Sequence, residues 1–174
     1  MEAKIKPKKM KDTLQEFARY NLWANQTITS TILGLDEHLH QQHSPSSFPN
    51  LYATILHMWD AESAWWQRMH KHEKIMVPSQ NFNPNMKEAI NGLISQSTLW
   101  SDFAGTVTEQ ELKEPLQYRN IKKEEFIQPL HEVLLHVFNH GTYHRGQLVT
   151  MMRALGHEEI PQTDFILWSR KVKS

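Results

Sequence analysis

The chain has 174 residues and a mass of 20.5 kDa, which suits one domain with a full core, since domains cluster at about 100 to 150 residues. Lysine plus arginine and aspartate plus glutamate both total 19, so there is no net formal charge, the pI is about 7.2, and the broad positive footprint of a nucleic-acid binder is missing. With no cysteine, disulfides, thiolate nucleophiles, zinc ribbons and iron–sulfur clusters are excluded, and any metal is left to histidine and carboxylate.

The opening run MEAKIKPKKM carries charge with no apolar stretch behind it, and residues 1–11 read as a frayed N-terminus. No uninterrupted apolar run of about 18 residues occurs, so neither a membrane span nor a signal peptide is predicted, and a soluble, cytoplasmic protein is expected. The first helix is predicted from about Asp12, its N-cap, to Leu33, with Leu14, Phe17, Tyr20, Ala24, Ile28 and Ile32 spaced by three and four. The segment from Gly34 to Pro49 is polar, ends in Ser44-Pro45-Ser46-Ser47 and carries His38, His40 and His43. It is read as a loop with solvated histidines rather than ligands.

A second helix is predicted from about Asn50 to His72. One flank holds Ala53, His57, Ala61, Ala64 and Trp65, and the other Leu51, Ile55, Met58, Trp66 and Met69. A helix apolar on both flanks lies deep in a bundle or offers a surface for self-association. Pro78 to Pro84 reads as a loop. Met86 to Phe103 reads as a third helix, facing inward with Ile90, Leu93, Ile94, Ser97, Trp100 and Ala104 and capped by Gly105. Between Thr108 and Pro129 the pieces around Leu116, Tyr118, Phe126 and Ile127 suit a small hairpin. The fourth helix runs from after Pro129 to a cap at Gly156, and the tail from His157 is expected to fold back on the bundle through Phe165 to Trp168.

The chemistry concentrates on the fourth helix. His136, His140 and His144 are four residues apart, so at about 100° per residue each drifts only about 40° from the last. Val133, Val137, His140, His144, Leu148, Met151 and Leu155 fall in one arc, which places His140 and His144 inward and His136 at its edge. Two inward imidazoles at this spacing can point at one ion. His57, among the small residues of the second helix, supplies a third, as facing helices of bundles commonly do. For any one histidine a plain core or surface role is the commoner explanation; the three together favour a metal. Imidazole ligation suits Zn, Ni, Cu or Fe(II) and not Ca or Mg, and three ligands leave positions open for water or substrate. Asp60, one turn from His57, is the candidate to orient an imidazole or accept a proton, with a surface carboxylate as the plainer alternative. Glu62 faces away from it. Arg145 is expected to pair with a carboxylate such as Asp164. Gly141 and Gly146, costly inside a helix, suggest close approach or ligand space. Trp59, Trp65 and Trp66 read as core, or as the wall of a pocket.

Four runs, ARYNLWANQTI from Ala18, LHMWDAESAWWQRM from Leu56, NHGTYHRGQLVTMMRALG from Asn139 and PQTDFILWSR from Pro161, occur in this order and together resemble the DinB superfamily, the DinB/YfiT-like proteins. The resemblance covers nearly the whole chain. It implies a single all-α domain, an up-up-down-down four-helix bundle, and a divalent metal held by His57, His140 and His144. It further implies a homodimer and a cofactor of the Zn or Ni kind, with Fe or Mn as further options. Relatives include thiol-dependent S-transferases and maleylpyruvate isomerases that use low-molecular-weight thiols. Some carry an acidic residue directly after the first histidine of the fourth-helix pair, where this chain has Gly141, which removes one general base. Three readings follow. The first is a metal-dependent enzyme that activates a thiol or water for transfer to a small electrophile. The second is a non-catalytic stress-response protein that binds a metal or small molecule, and the third is a structural helical dimer.

Overall fold

The computed structural model describes residues 9–173; of the N-terminal stretch read as frayed, residues 1–8 lie outside it. The chain forms helix α1 (Met10–Leu33), a 3-10 turn (Glu37–His40), α2 (Leu51–Met69), the short α3 (Pro78–Asn81), α4 (Met86–Thr106), a second 3-10 turn (Glu111–Lys113), strands β1 (Pro115–Arg119) and β2 (Glu125–Pro129), α5 (Leu130–Ala154) and α6 (Phe165–Lys173). It is a mostly helical fold with one antiparallel hairpin, Tyr118 opposite Phe126, where the sequence placed it. No described helix is long and apolar enough to cross a membrane.

Local chemistry accounts for the helix ends. Asp12 is not the N-cap of α1: the helix starts two residues earlier, and the Asp12 carboxylate reaches back to the Lys9 N–H at 3.3 Å. Asn50 caps α2 through its side-chain oxygen on the Ala53 N–H (2.8 Å). Asn85 and Glu88 bond each other's backbone N–H at the start of α4, the reciprocal capping box. Gly105 does not end α4, which runs on to Thr106 and stops where the buried Val107 turns extended. Gly156 does end α5. Its φ of +87° suits a residue without Cβ, and the N–H groups of Gly156 and His157 return to the carbonyls of Arg153 and Met152, a Schellman closure. His40, expected in solvent, is buried: its Nε2 meets the Ile32 carbonyl at 2.9 Å, beside the Leu35 N–H that donates to the same oxygen at 3.1 Å.

Two apolar clusters fix the directions of the bundle. Ile28 and Ile32 near the end of α1 pack with Leu51, Ile55 and Met58 at the start of α2, Met86, Ala89, Ile90 and Leu93 at the start of α4, and Leu148, Met151 and Met152 at the end of α5. Leu14 and Ala18 pack with Trp100 and Ala104 of α4 and Leu134, Val137 and Phe138 of α5. Along the chain the order is therefore up, down, down, up, and not the up-up-down-down order that the resemblance implies. The reason lies in the links. Residues 34–50 turn straight back, whereas residues 70–85 are long enough to retrace a helix of about 30 Å, so α4 starts beside the start of α2. Gly92 serves this packing, since a Cβ there would lie 2.3 Å from the Trp59 ring. The tail folds back as expected, with Trp168 edge-on to Tyr20 (6.0 Å) and the Tyr20 hydroxyl donating to the Thr163 carbonyl (2.7 Å).

A buried polar layer crosses all four long helices. Arg145 of α5 donates through Nη1 to the side-chain oxygens of Asn21 (2.7 Å) and Asn25 (2.8 Å) on α1. The amide nitrogens of the same asparagines donate to Glu62 Oε1 on α2 (3.1 and 3.3 Å). Ser97 of α4 donates to Glu62 Oε2 (2.8 Å). Two asparagines thus relay a buried arginine to a buried glutamate, and Glu62, which the sequence turned away from Asp60, turns inward. Arg145 is held by this layer and by Thr142 (2.8 Å), not by Asp164. Gly141 belongs to the layer too, because a Cβ there would stand 2.6 Å from the Asn21 oxygen.

Burial pushes the Glu62 carboxyl up from 4.5 to about 7, against its donors and Arg145, which hold it down. A carboxyl whose folded value lies above its unfolded one stabilises the fold fully below pH 4.5 and loses that contribution as pH rises through 7. Urea unfolding of wild type and Glu62→Gln across this range should show the wild type losing up to about 3 kcal/mol relative to the variant as pH rises. A constant difference would show that Glu62 titrates in the fold as it does in the unfolded chain.

Candidate metal centre

His57 reaches the seam between α2 and α5 from an alanine-rich stripe, and His140 and His144 meet it from α5. The distances between Nε2 atoms are 3.1 Å for His57 to His140 and 3.1 Å for His144 to His140. One nitrogen from each ring lies within 4.8 Å of the other two. His144 is buried, and His57 and His140 are half-buried. A tetrahedral zinc ion with bonds of about 2.0 to 2.1 Å sets its ligand nitrogens about 3.3 Å apart, so His140 stands from each of the other two at close to the spacing such an ion asks for.

Proton accounting points the same way. The Gln147 amide donates from Nε2 to Ser47 Oγ (2.7 Å), and its oxygen faces His144 Nδ1 at 2.7 Å. This orientation makes Nδ1 the donor and leaves His144 Nε2 a lone pair. The His140 Nε2 faces that lone pair and the His57 Nε2 together, and a neutral nitrogen holds one proton at most. A cation at the convergence satisfies all three nitrogens. Burial lowers the proton affinity of all three rings; His140, with His144, His57 and His136 also around it, falls from 6.5 to about 3. At neutral pH the imidazoles are uncharged, the form in which they bind metals.

His136 lies outside the group, on the exposed side of α5, with its ring edge-on to Trp65 at 5.1 Å. Asp60 accepts the Ser79 backbone N–H on Oδ1 (2.9 Å), and its charge acts on His57, favouring the protonated ring. A Cβ at Gly146 would meet nothing within 4 Å, so no close helix approach explains that glycine. The three tryptophans do not form one cluster: Trp59 stacks on Phe82, Trp65 meets Tyr118 and His136, and Trp66 meets Trp100. Sequence reasoning missed Phe48, Ser47 and Gln147. The loop read as Ser-Pro spacer folds over the centre, where Phe48 stacks on His57 with ring centroids 4.3 Å apart. A signal existed for Gln147, three residues after His144 and therefore on its face; none existed for the loop.

The sequence profile of the DinB family, described as such, matches residues 10–171. The chain belongs to the DinB family. It is 27% identical over 168 residues to Protein DinB of Bacillus subtilis (strain 168), an alignment covering 91% of this chain and 95% of that protein. The four runs that carried the resemblance all lie inside the DinB match, and three histidines of this DinB chain could hold a metal ion.

Two measurements probe the centre. Gln147→Leu frees the His144 ring to rotate and change tautomer, and metal affinity, read by competition with a chromophoric chelator, should fall by about 10 to 100-fold. In the metal-free protein, the lowered histidines let the unfolded chain bind more protons, so their contribution to stability is intact above pH 6.5 and lost as pH falls toward 3. His140→Leu should flatten that acid limb in urea unfolding; an unchanged limb would show that His140 titrates normally.

Proposed function

We propose that this protein is a metal-dependent enzyme that activates a thiol or water for transfer to a small electrophile, with thiol transfer ahead of hydrolysis. The observation that carries the reading is the convergence of three uncharged imidazoles, with His140 standing 3.1 Å from each of the other two. Zn or Ni suits this donor set best, with Fe or Mn as alternatives. A divalent ion held by three imidazoles keeps coordination positions open and acidifies a bound thiol or water.

The remaining work falls to the chain's own residues. Gln147 and Ser47 fix the tautomer and orientation of His144. Phe48 covers one face of His57 and keeps water from that side. Asp60 acts through its charge on His57, as a positioning residue one turn away, and its Oδ1 ties α2 to α3 through Ser79. The substrate partner is a small molecule, with a low-molecular-weight thiol as the donor, and neither nucleic acid nor membrane is engaged. A cytoplasmic homodimer is part of the same proposal.

One observation favours a second reading, a non-catalytic stress-response protein that holds a metal or small molecule. The group consists of imidazoles alone, and Gly141 follows His140 where an acid would serve as base.

Elemental analysis of tag-free protein separates these readings from a metal-free scaffold. About one Zn or Ni per chain is expected, lost in both His140→Ala and His144→Ala. Metal-loaded protein should then consume a thiol and an electrophile together. Turnover absent across a thiol panel, with metal present, would leave the binding reading, and wild type that takes up no metal after reconstitution would overturn the enzyme reading and leave a helical binding or scaffolding protein.

A further inference from the structure

Arg68 lies on the stripe of α2 that carries His57. Eleven residues, three helical turns, separate them, so both leave the same face about 16 Å apart along the axis. Ala61 and Ala64 lie between. The guanidinium is fixed in place: its centre sits 4.8 Å over the Trp65 ring, and Nε donates to the Arg119 carbonyl at 3.2 Å. Among the described residues its two Nη groups have no such anchor. Among the described residues no carboxylate forms an ion pair with Arg68, while the neighbouring Arg119 is paired with Glu125 at 2.5 Å. A half-buried cation without a counter-charge is costly to keep.

This arginine lines a cleft of about 400 Å³ together with Lys71, His72, Glu73, Tyr118 and Arg119. The cations there outnumber the one acid. Lys71 holds a φ of +57°, a conformation that residues with a Cβ adopt at a cost, in the turn that brings Lys71 and His72 to the cleft. A file of rings leads onward from it. Tyr118 meets Trp65 (4.8 Å), Trp65 meets His136 (5.1 Å), and His136 lies 6.0 Å from His140.

We propose that the Arg68 cleft binds the oxyanion group, carboxylate or phosphate, of a small molecule whose other end reaches the three-histidine centre. The planar fork of arginine matches such a group with two parallel hydrogen bonds. The substrate class is then an elongated acid of about 12 to 16 Å, a span set by the helix rise between Arg68 and His57. This deepens the enzyme reading and rests on it, but the cleft itself does not need the metal.

The test has two arms. In the first, metal-free protein is titrated with inorganic phosphate and, separately, acetate, and the backbone amide signals of Lys71 and His72, which line the cleft in wild type and variants alike, are followed by NMR. Saturable binding is expected, weakened at least tenfold in Arg68→Gln; Arg68→Lys, which keeps the charge and loses the fork, should fall between them. Equal binding by Arg68→Gln would overturn the cleft whatever the metal does, and the stronger of the two anions names the source. In the second arm, cobalt-loaded protein is titrated with 11-mercaptoundecanoic acid and 11-mercapto-1-undecanol, following the cobalt–thiolate absorption. The acid should bind at least tenfold more tightly, with the preference lost in Arg68→Gln. Equal binding of acid and alcohol would overturn the bridging ligand. No thiolate band with either would count against thiol activation at the centre while leaving the first arm to decide the cleft.

Discussion

The relay from Arg145 through Asn21 and Asn25 to Glu62 is the interaction on which the arrangement depends. It lies five residues beyond His140 on α5 and five beyond His57 on α2, and with Ser97 of α4 it draws on all four long helices. A bundle packed by leucine and isoleucine alone tolerates sliding, because apolar contacts are non-directional. Here a slip of one turn between α2 and α5 would strand a buried guanidinium and a buried carboxyl, which is far more expensive than a repacked methyl group. The layer therefore penalises every register except the one that sets His57 against His140 and His144. It also explains a glycine in mid-helix: the Asn21 amide occupies the space where the side chain of residue 141 would stand.

How much of this could be read from sequence depended on how local each signal was. The three histidines were legible because helical periodicity turns a spacing of four into a shared face, and because the alanine stripe around His57 marks a place where helices leave room. The hairpin, the closure at Gly156 and the returning tail were legible from turn chemistry. The relay was not. Asn21, Asn25 and Arg145 are polar residues that in isolation belong on a surface, and only the packing of four helices shows that they satisfy one another. His40 misled for the same reason: a loop histidine looks solvated until the loop is seen folding under the end of α1. The order of helix directions was beyond periodicity, since it is decided by the path of residues 70–85.

The connecting segments do more than connect. Residues 44–50 supply Ser47 and Phe48 to the centre, and the hairpin supplies Tyr118 and the Arg119 carbonyl to the end of α2. Both lie against the same seam between α2 and α5, one at each end. The rigid bundle thus provides imidazoles with fixed spacing, while the connections provide the contacts that cover and flank them, the usual division of labour between scaffold and loops.

His57 and His140 are separated by 83 positions in the chain, a span that contains α3, α4 and the hairpin. An ion shared between them would close that span into a loop, and clips across long loops remove the most freedom from an unfolded chain. In a protein without cysteine, the metal would take over the stapling role that disulfides fill elsewhere. Loading would then be felt throughout α4 and the hairpin, as slower opening of segments that do not touch the ion.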